Sequence, residues 1–161
     1  MENPHKTIAE IVEQEAVCLE EFLKLLVAQQ KYLVENDIDQ LKAGVDRQQE
    51  LIDRVKNLEK NRFEVLANYS RQHDLDPAEI TITRLANQAE GKIADKLLKL
   101  QNSLMSLHSK IEKAKRKNEF LIEHSMKHIE GTIKLIAGKN GTGSDYSPHE
   151  KKGNLMVSKT I

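Results

Sequence analysis

The feature that most constrains this fold is a run of apolar and small residues between Gly91 and Gly138, in which the spacing alternates between four and three. The run consists of Ile93, Leu97, Leu100, Leu104, Leu107, Ile111, Ala114, Asn118, Leu121 and Ser125. That spacing is the seam of a helix that packs lengthwise against other helices. After Ala137 the sequence becomes rich in Gly and Ser and reaches a Pro, so we predict that this helix ends there.

The composition favours long amphipathic helices over a large compact globule. Charged residues make up 31% of the 161 residues, Trp is absent, and Gly and Pro are few. No apolar run approaches the roughly 18 residues that a membrane span needs, and residues 1–9 lack a signal-peptide core. The single cysteine, Cys18, excludes an internal disulfide framework. We therefore expect a cytoplasmic protein without membrane insertion.

Two helices are predicted before the long one. The first spans roughly Pro4 to Glu35, with apolar residues on one face at a period near 3.6. Asp37 then caps a second helix, and Gln40 three residues later completes a capping box. The second helix is expected to continue to about Gln72.

The third helical segment has a clear start and a weak point. Asp76 and Pro77 give an N-cap followed by a proline in the first turn. Gly91 costs about 1 kcal/mol relative to Ala inside a helix, which allows a short helix over 77–90 ahead of a long one. Short connections make neighbouring helices antiparallel, so we predict an all-α, up-down-up antiparallel bundle of three long helices with an extended third helix. Residues 1–137 form this domain, and 138–161 a flexible C-terminal tail.

The predicted helix lengths leave part of the third segment without a partner. The segments measure roughly 48, 54 and 90 Å at 1.5 Å per residue if the third is unbroken. The third segment is then level with the start of the second helix near Glu112, and the part of it beyond this point overhangs the other two helices. A break at Gly91 shortens this overhang without removing it. The apolar residues of the overhang are Leu121, Ile122, Met126, Ile129, Ile133 and Ile136. The chain folding back, a second copy or another protein must cover them, because exposing each would forgo roughly 1.5–3 kcal/mol.

The net charge of zero hides two oppositely charged halves. Residues 1–76 hold 16 acidic and 10 basic side chains, a balance of −6, and residues 77–161 balance this with +6. Attraction between two packed halves explains the split. The basic cluster from Lys113 to Lys117 is short and lies among acidic residues with few aromatic side chains nearby, so we expect no nucleic-acid partner.

Interpretation as an enzyme finds little support. His124 and His128 are spaced for one helix face to ligate zinc, but no His-Glu-x-x-His pattern and no second cysteine accompany them. The glycines of 138–143 follow a helix instead of leading into one, as a phosphate loop does. Cys18 lies beside an apolar stripe and is interpreted as a small hydrophobe. We expect no catalytic residue, no metal and no cofactor; a metal-dependent helical-bundle enzyme would need metal bound after purification.

The sequence at the far end of the long helix resembles that of a known protein family. The run from Asn118 to Ser125 resembles the Asn-x-x-Leu-Ile-x-x-Ser pattern of the FlgN family, cytoplasmic chaperones of flagellar type III export. Further matches are the Asp37–Leu41 run, the Leu51–Arg62 helix, Tyr146 and Gly153, so the resemblance covers nearly the whole chain. The chain departs from the pattern at Lys115, where many members carry another Asn, and in the longer distance from Tyr146 to Gly153.

The resemblance implies a chaperone that holds hook-associated proteins and brings them to the export gate and ATPase complex. The client-binding residues carried over are Asn118, Leu121, Ile122, Ser125, Met126, Ile129, Ile133 and Ile136, with Tyr146 as the export-gate contact. An amphipathic client segment would cover the apolar stripe by helix-in-groove recognition. Asn118 on the seam would either set the register or mark where the helix emerges into solvent. The alternative is a self-associating coiled-coil structural or adaptor protein; a weak homo-oligomer is compatible with either.

Overall fold

The protein is a bundle of helices, described by a computed structural model over residues 3–137. Helix α1 runs Pro4–Glu35, α2 Ile38–His73, α3 Ile82–Gln88 and α4 Gly91–Ala137, with one 3-10 turn at Pro77–Glu79. Within α4 the side chains of Ser125, His128, Ile129, Thr132, Ile136 and Ala137 are not among those described. The all-α prediction is confirmed.

Local capping explains where α1 begins and ends and where α2 begins. The Asn3 side chain accepts from the backbone N–H of His5 at 3.0 Å and starts α1. Asn36 ends α1 in the left-handed region at φ 53°, and the Asp37 side chain then accepts from the N–H of Gln40 at 3.2 Å to start α2. The predicted boundaries of the first helix and the predicted Asp37 cap are therefore confirmed.

Side-chain pairs establish the direction of the three long helices. Glu15 on α1 pairs with Arg62 on α2 at 3.0 Å, and Gln29, farther along α1, bonds Gln48, which comes earlier on α2. These two helices are antiparallel. Helix α4 returns parallel to α1, because Lys96 near its start pairs with Glu13 at 2.8 Å and Asn118 farther along reaches Leu26. The long helices therefore run up, down and up.

The segment between α2 and α4 folds back on the bundle. Gly91 adopts φ 61°, a left-handed conformation that suits glycine, and α3 and α4 meet there as a tight helical hairpin. The hydroxyl of Thr83 accepts from Gln101 Nε2 at 2.8 Å, which places α3 antiparallel against the first turns of α4. The single third helix of roughly 90 Å is therefore wrong. The allowed alternative of a short helix ahead of a long one is the observed arrangement, but the short helix spans Ile82–Gln88 and not 77–90. Asp76 caps only the 3-10 turn, and α3 starts where the Thr81 hydroxyl accepts from the N–H of Arg84. Helix α4 is roughly 70 Å long.

The core consists of two apolar clusters stacked along α1. The lower cluster lies near the start of α1 and joins all four helices. Its largest members include Ile8, Leu66, Tyr69, Leu85, Leu97 and Leu104. The upper cluster joins the three long helices only and contains Cys18, Phe22, Leu26, Leu51, Leu58, Ile111 and Ala114. Cys18 is thus a buried packing residue, as expected from its place beside the stripe.

Candidate functional site: the distal end of α4

Helix α4 keeps one face on the bundle for most of its length. Leu97, Leu104, Ile111 and Asn118 recur every seven residues and all four are buried. A strict seven-residue repeat holds the same face toward neighbouring helices only if the helix follows a left-handed supercoil. The seam predicted from the sequence is therefore the packed face of α4 up to Asn118.

Three amides form a polar layer at the upper limit of the core. Asn118 Nδ2 donates to the backbone carbonyl of Leu26 at 2.9 Å and to Gln29 Oε1 at 3.4 Å. Gln29 in turn exchanges hydrogen bonds of 3.0 and 3.2 Å with the amide of Gln48. We call Asn118, Gln29 and Gln48 the polar layer; it connects all three long helices. The Oδ1 atom of Asn118 is buried and has no donor among the described residues.

The buried core stops at this polar layer. In the described part of the chain, the last buried side chain of α1 is Leu26, and the last of α4 is Asn118. On α2, which runs the other way, the first buried side chain is Leu51. Beyond the polar layer, therefore, none of the described side chains of the three long helices is fully buried.

Apolar residues continue on α4 beyond the point where the core ends. Leu121 is half-buried, whereas Ile122 is 49% exposed, Met126 38% and Ile133 57%. The predicted site residues Ser125, Ile129 and Ile136 lie in the same helix, but their side chains are outside the described set. Exposed apolar side chains spaced by four and seven residues form a surface that another apolar partner can cover.

The overhang is shorter than the sequence suggested. Asn118 is level with Leu26 of α1, and α1 continues nine residues farther to Glu35. Helix α4 is therefore level with the end of α1 near Lys127. About ten residues of α4, roughly 15 Å, extend past the connection between α1 and α2. The overhang from about Glu112 that an unbroken third helix predicts is therefore wrong, because the fold-back at Gly91 moves α4 down along the bundle. The expectation that a break at Gly91 shortens the overhang without removing it is confirmed.

Two exposed apolar residues near the site were absent from the prediction. Phe120 is exposed and stacks on His124 with ring centroids 6.2 Å apart, and Leu135 is the most exposed large apolar side chain of those described. Phe120 lies off the four-three stripe, whereas Leu135 follows Leu121 by two heptads and falls on the continuation of the stripe past Ser125. Extending the four-three spacing past Ser125 would have identified Leu135, and an aromatic residue at a polar-face position beside the stripe was the signal for Phe120.

Two groups with shifted pKa values, Glu15 and His5, lie away from the distal end of α4. A third, Arg47 of α2, precedes Gln48 of the polar layer and has its pKa raised by hydrogen bonds to Glu50 and Glu21. Burial raises the pKa of the Glu15 carboxyl on α1, and the charge of Arg62 opposes that shift. Burial also lowers the pKa of His5, near the start of α1, with the positive charge of His73 as the second cause. The ionisation of Glu15 and of His5 therefore affects the stability of the bundle.

The residues behind the zinc and nucleic-acid interpretations of the sequence lie on α4. His124 is exposed, the side chain of His128 is outside the described set, and residues 3–137 contain no group of three His, Cys, Asp or Glu side chains that could hold a metal ion. In the basic cluster of α4, Lys113, Arg116 and Lys117 are exposed and Lys115 is half-buried. None of the described helices is long and apolar enough to cross a membrane. Tyr146 and the glycines of 138–143 lie outside the described residues.

Comparison with known proteins yields one match. The model of a family described as "FlgN protein" matches residues 1–153 of this chain. No curated protein and no solved structure matches it. The matched range contains every described helix, the polar layer and the distal end of α4.

Proposed function

Because this chain belongs to the FlgN family of flagellar export chaperones, we propose that it binds hook-associated proteins in the cytoplasm before their export. Binding prevents the premature association of these clients and brings them to the flagellar type III export apparatus. The chain works by covering a surface of its client and carries out no catalysis.

One observation supports the distal end of α4 as the client site. The core ends at the polar layer, while apolar side chains continue along α4 at Ile122, Met126 and Ile133. Covering these side chains with an amphipathic client helix removes apolar surface from water on both partners. An amphipathic helix of a hook-associated protein would have the complementary chemistry, because such a helix carries an apolar stripe along one face.

The residues proposed to bind the client share the upper turns of α4. They are Asn118, Leu121, Ile122, Ser125, Met126, Ile129, Ile133 and Ile136. Asn118 is the lower limit of this surface: its amide belongs to the polar layer, so it defines where the bundle's own packing stops and client packing starts. Met126 adds an adaptable contact, because an unbranched thioether fits client side chains of different shape.

Delivery is proposed to use the C-terminal segment. Residues 1–137 would form the client-binding domain and 138–161 a tail that contacts the export gate through Tyr146. A tyrosine offers apolar area and a hydroxyl to a partner from an otherwise small and polar segment. These assignments to the tail lie outside the described residues.

The test is light-scattering chromatography of the full chain with a peptide from the C-terminal helix of a hook-associated protein. Three proteins are compared: wild type, an Ile122→Asp, Ile133→Asp variant, and a control in which the exposed Val17 of α1 is changed to Asp. We expect a 1:1 complex for wild type and control and none for the double variant. A homo-oligomer that ignores the peptide and dissociates in the double variant would contradict the proposal and favour a self-associating coiled coil.

A further inference from the structure

Helices α2 and α4 leave a space between them that α3 fills at one end only. Both pack along α1 but make almost no close backbone contact with each other. At the lower end α3 bonds to both: the Tyr69 hydroxyl of α2 donates to Gln88 at 2.6 Å, and Gln101 of α4 donates to Thr83 at 2.8 Å. Above α3, the described chain supplies no fourth helix for this space.

Ile122 of α4 faces the space whose lower end α3 occupies. Gln101 contacts α3, and Ile122 follows Gln101 by three whole heptads. Leu97 and Asn118 are also separated by three heptads and are both buried on the seam, so a step of this length returns to the same side of the supercoiled helix. Ile122 therefore lies on the flank of α4 that α3 covers farther down, and Met126 lies one turn beyond it.

A matching flank exists on α2. Leu66 lines a cavity of about 170 Å³ together with Ile82 and Leu85 of α3, so its side of α2 faces α3. Val45 precedes Leu66 by three heptads and Ile38 precedes it by four, and the two are 54% and 73% exposed. The heptad repeat places both on the α3-facing flank, above the point where α3 ends.

The two flanks are level with each other. The polar layer sets Gln48 of α2 and Asn118 of α4 at one height. Because α2 and α4 run in opposite directions, Val45 lies about 4.5 Å above this layer and Ile122 about 6 Å above it at 1.5 Å per residue. On the same scale Ile38 lies about 15 Å and Met126 about 12 Å above it. Val45 thus faces the space at the height of Ile122, and Ile38 at the height of Met126.

We propose that the upper space between α2 and α4, here named the α2–α4 slot, binds one amphipathic helix of the client, and that Val45 and Ile38 of α2 are client-binding residues. The inference rests on the proposed chaperone function and adds a second wall to its site. The bound helix continues the position of α3, whose buried Ile82, Leu85 and Ala86 show the chemistry that fits this space. A client helix with that spacing contacts both walls at once, which α4 alone does not offer.

The experiment measures binding of a fluorescently labelled peptide from the C-terminal helix of a hook-associated protein to the full-length chain. The variants are Ile122→Asp on α4, Val45→Asp and Ile38→Asp on α2, and Val27→Asp on α1 as the matched control. Val27 is 52% exposed, close to Val45, and precedes Gln29 by two residues, so it lies on the side of α1 opposite the one that Gln29 turns toward α2 and α4. Circular dichroism melting of each variant checks that the helices are intact.

We expect Ile122→Asp, Val45→Asp and Ile38→Asp each to weaken binding at least tenfold and Val27→Asp to change it less than twofold. If Ile122→Asp weakens binding while both α2 variants bind like wild type, the slot is wrong and the client site lies on α4 alone. If wild type does not bind the peptide, the proposed function and the slot both fail. If wild type is a dimer that Val45→Asp dissociates, a second copy occupies the slot and the inference is overturned.

Discussion

The side-chain amides of Gln29 and Gln48 exchange two hydrogen bonds, of 3.0 and 3.2 Å, between α1 and α2. Two heptads before Gln29 on α1, Glu15 pairs with Arg62, which follows Gln48 by the same two heptads on α2. Both polar pairs are formed together in one register only. A slip of one heptad would set Glu15 against Val55 or Tyr69 and leave its charge buried without a partner. The two pairs therefore specify the α1–α2 hairpin at some cost in stability.

The first prediction concerns the buried pair of Glu15 and Arg62, whose side chains are 9% and 11% exposed. Arg62→Met leaves a buried carboxylate without its partner and should lower the free energy of unfolding by about 3 kcal/mol. The double variant Glu15→Leu, Arg62→Met removes both charges and should lose much less. Urea unfolding of the two single variants and the double variant measures the coupling; additive losses would contradict it.

The pH dependence of the Arg62→Met variant gives a separate prediction. Burial raises the pKa of Glu15, and Arg62 is what opposes the rise, so its removal raises that pKa further. A carboxyl with a raised folded-state pKa contributes stability below its unfolded value of 4.5, and this is lost as the pH rises through the folded value. Arg62→Met should therefore be closer to wild type in stability at pH 5 than at pH 7. Urea unfolding at the two pH values measures this difference, and adding Glu15→Gln should abolish it.

A third prediction concerns the polar layer. Asn118→Leu should raise the free energy of unfolding by about 1 kcal/mol, because a buried amide with an unpaired Oδ1 is replaced by apolar contact at the edge of the core. Its partners keep other bonds: Gln29 Oε1 still accepts from Gln48. Ala114→Leu, one turn lower and buried in the upper cluster, is the control and should lose about 1–3 kcal/mol by overpacking. Equal effects in chemical denaturation would refute the assignment of the core's upper edge.

Two glycines should respond in opposite directions to the same substitution. Gly44 lies inside α2, where an added Cβ would meet Gln29 at an ordinary contact distance of 3.7 Å, so Gly44→Ala should stabilise by about 0.5–1 kcal/mol. Gly91 has φ 61°, and Gly91→Ala should destabilise by about 1 kcal/mol through backbone strain. Thermal melting of the two variants beside wild type checks both signs. A stabilising Gly91→Ala would mean that α3 and α4 form one continuous helix.

The fifth prediction concerns His5, which contacts the edge of the Tyr69 ring at a centroid distance of 5.4 Å. Burial lowers the pKa of His5 below 6.5, and His73 adds to this effect. A histidine with a lowered folded-state pKa contributes stability above its unfolded value, and this is lost as the pH falls through the folded value. Melting temperatures from about pH 7.5 to 5 should therefore fall less for His5→Gln than for wild type. His108 is an exposed residue of α4, and the melting temperature of a His108→Gln variant should fall as much as that of wild type.

Much of this fold is encoded in signals that are local in the sequence. The left-handed Asn36 and the capping Asp37 separate α1 from α2, and both act within a few residues of the break. The seam that ends at Asn118 depends only on spacing, because a heptad repeat identifies the packed face of a helix before its partner is known. The motif beginning at Asn118 pointed to the family that the comparison then confirmed.

The three long helices, the packed face of α4 and the family could thus be predicted without any knowledge of how the chain folds in space, whereas the bounds of α3 could not. The height at which α4 stands against the hairpin could not, since it depends on the turn at Gly91 and on the contact of Thr83 with Gln101. For the same reason, periodicity did not reveal that Val45 of α2 comes level with Ile122 of α4. Caps and periodicity act over a few turns of one helix, whereas the relative height of two helices comes from contacts between residues far apart in the chain, such as Asn118 and Gln29.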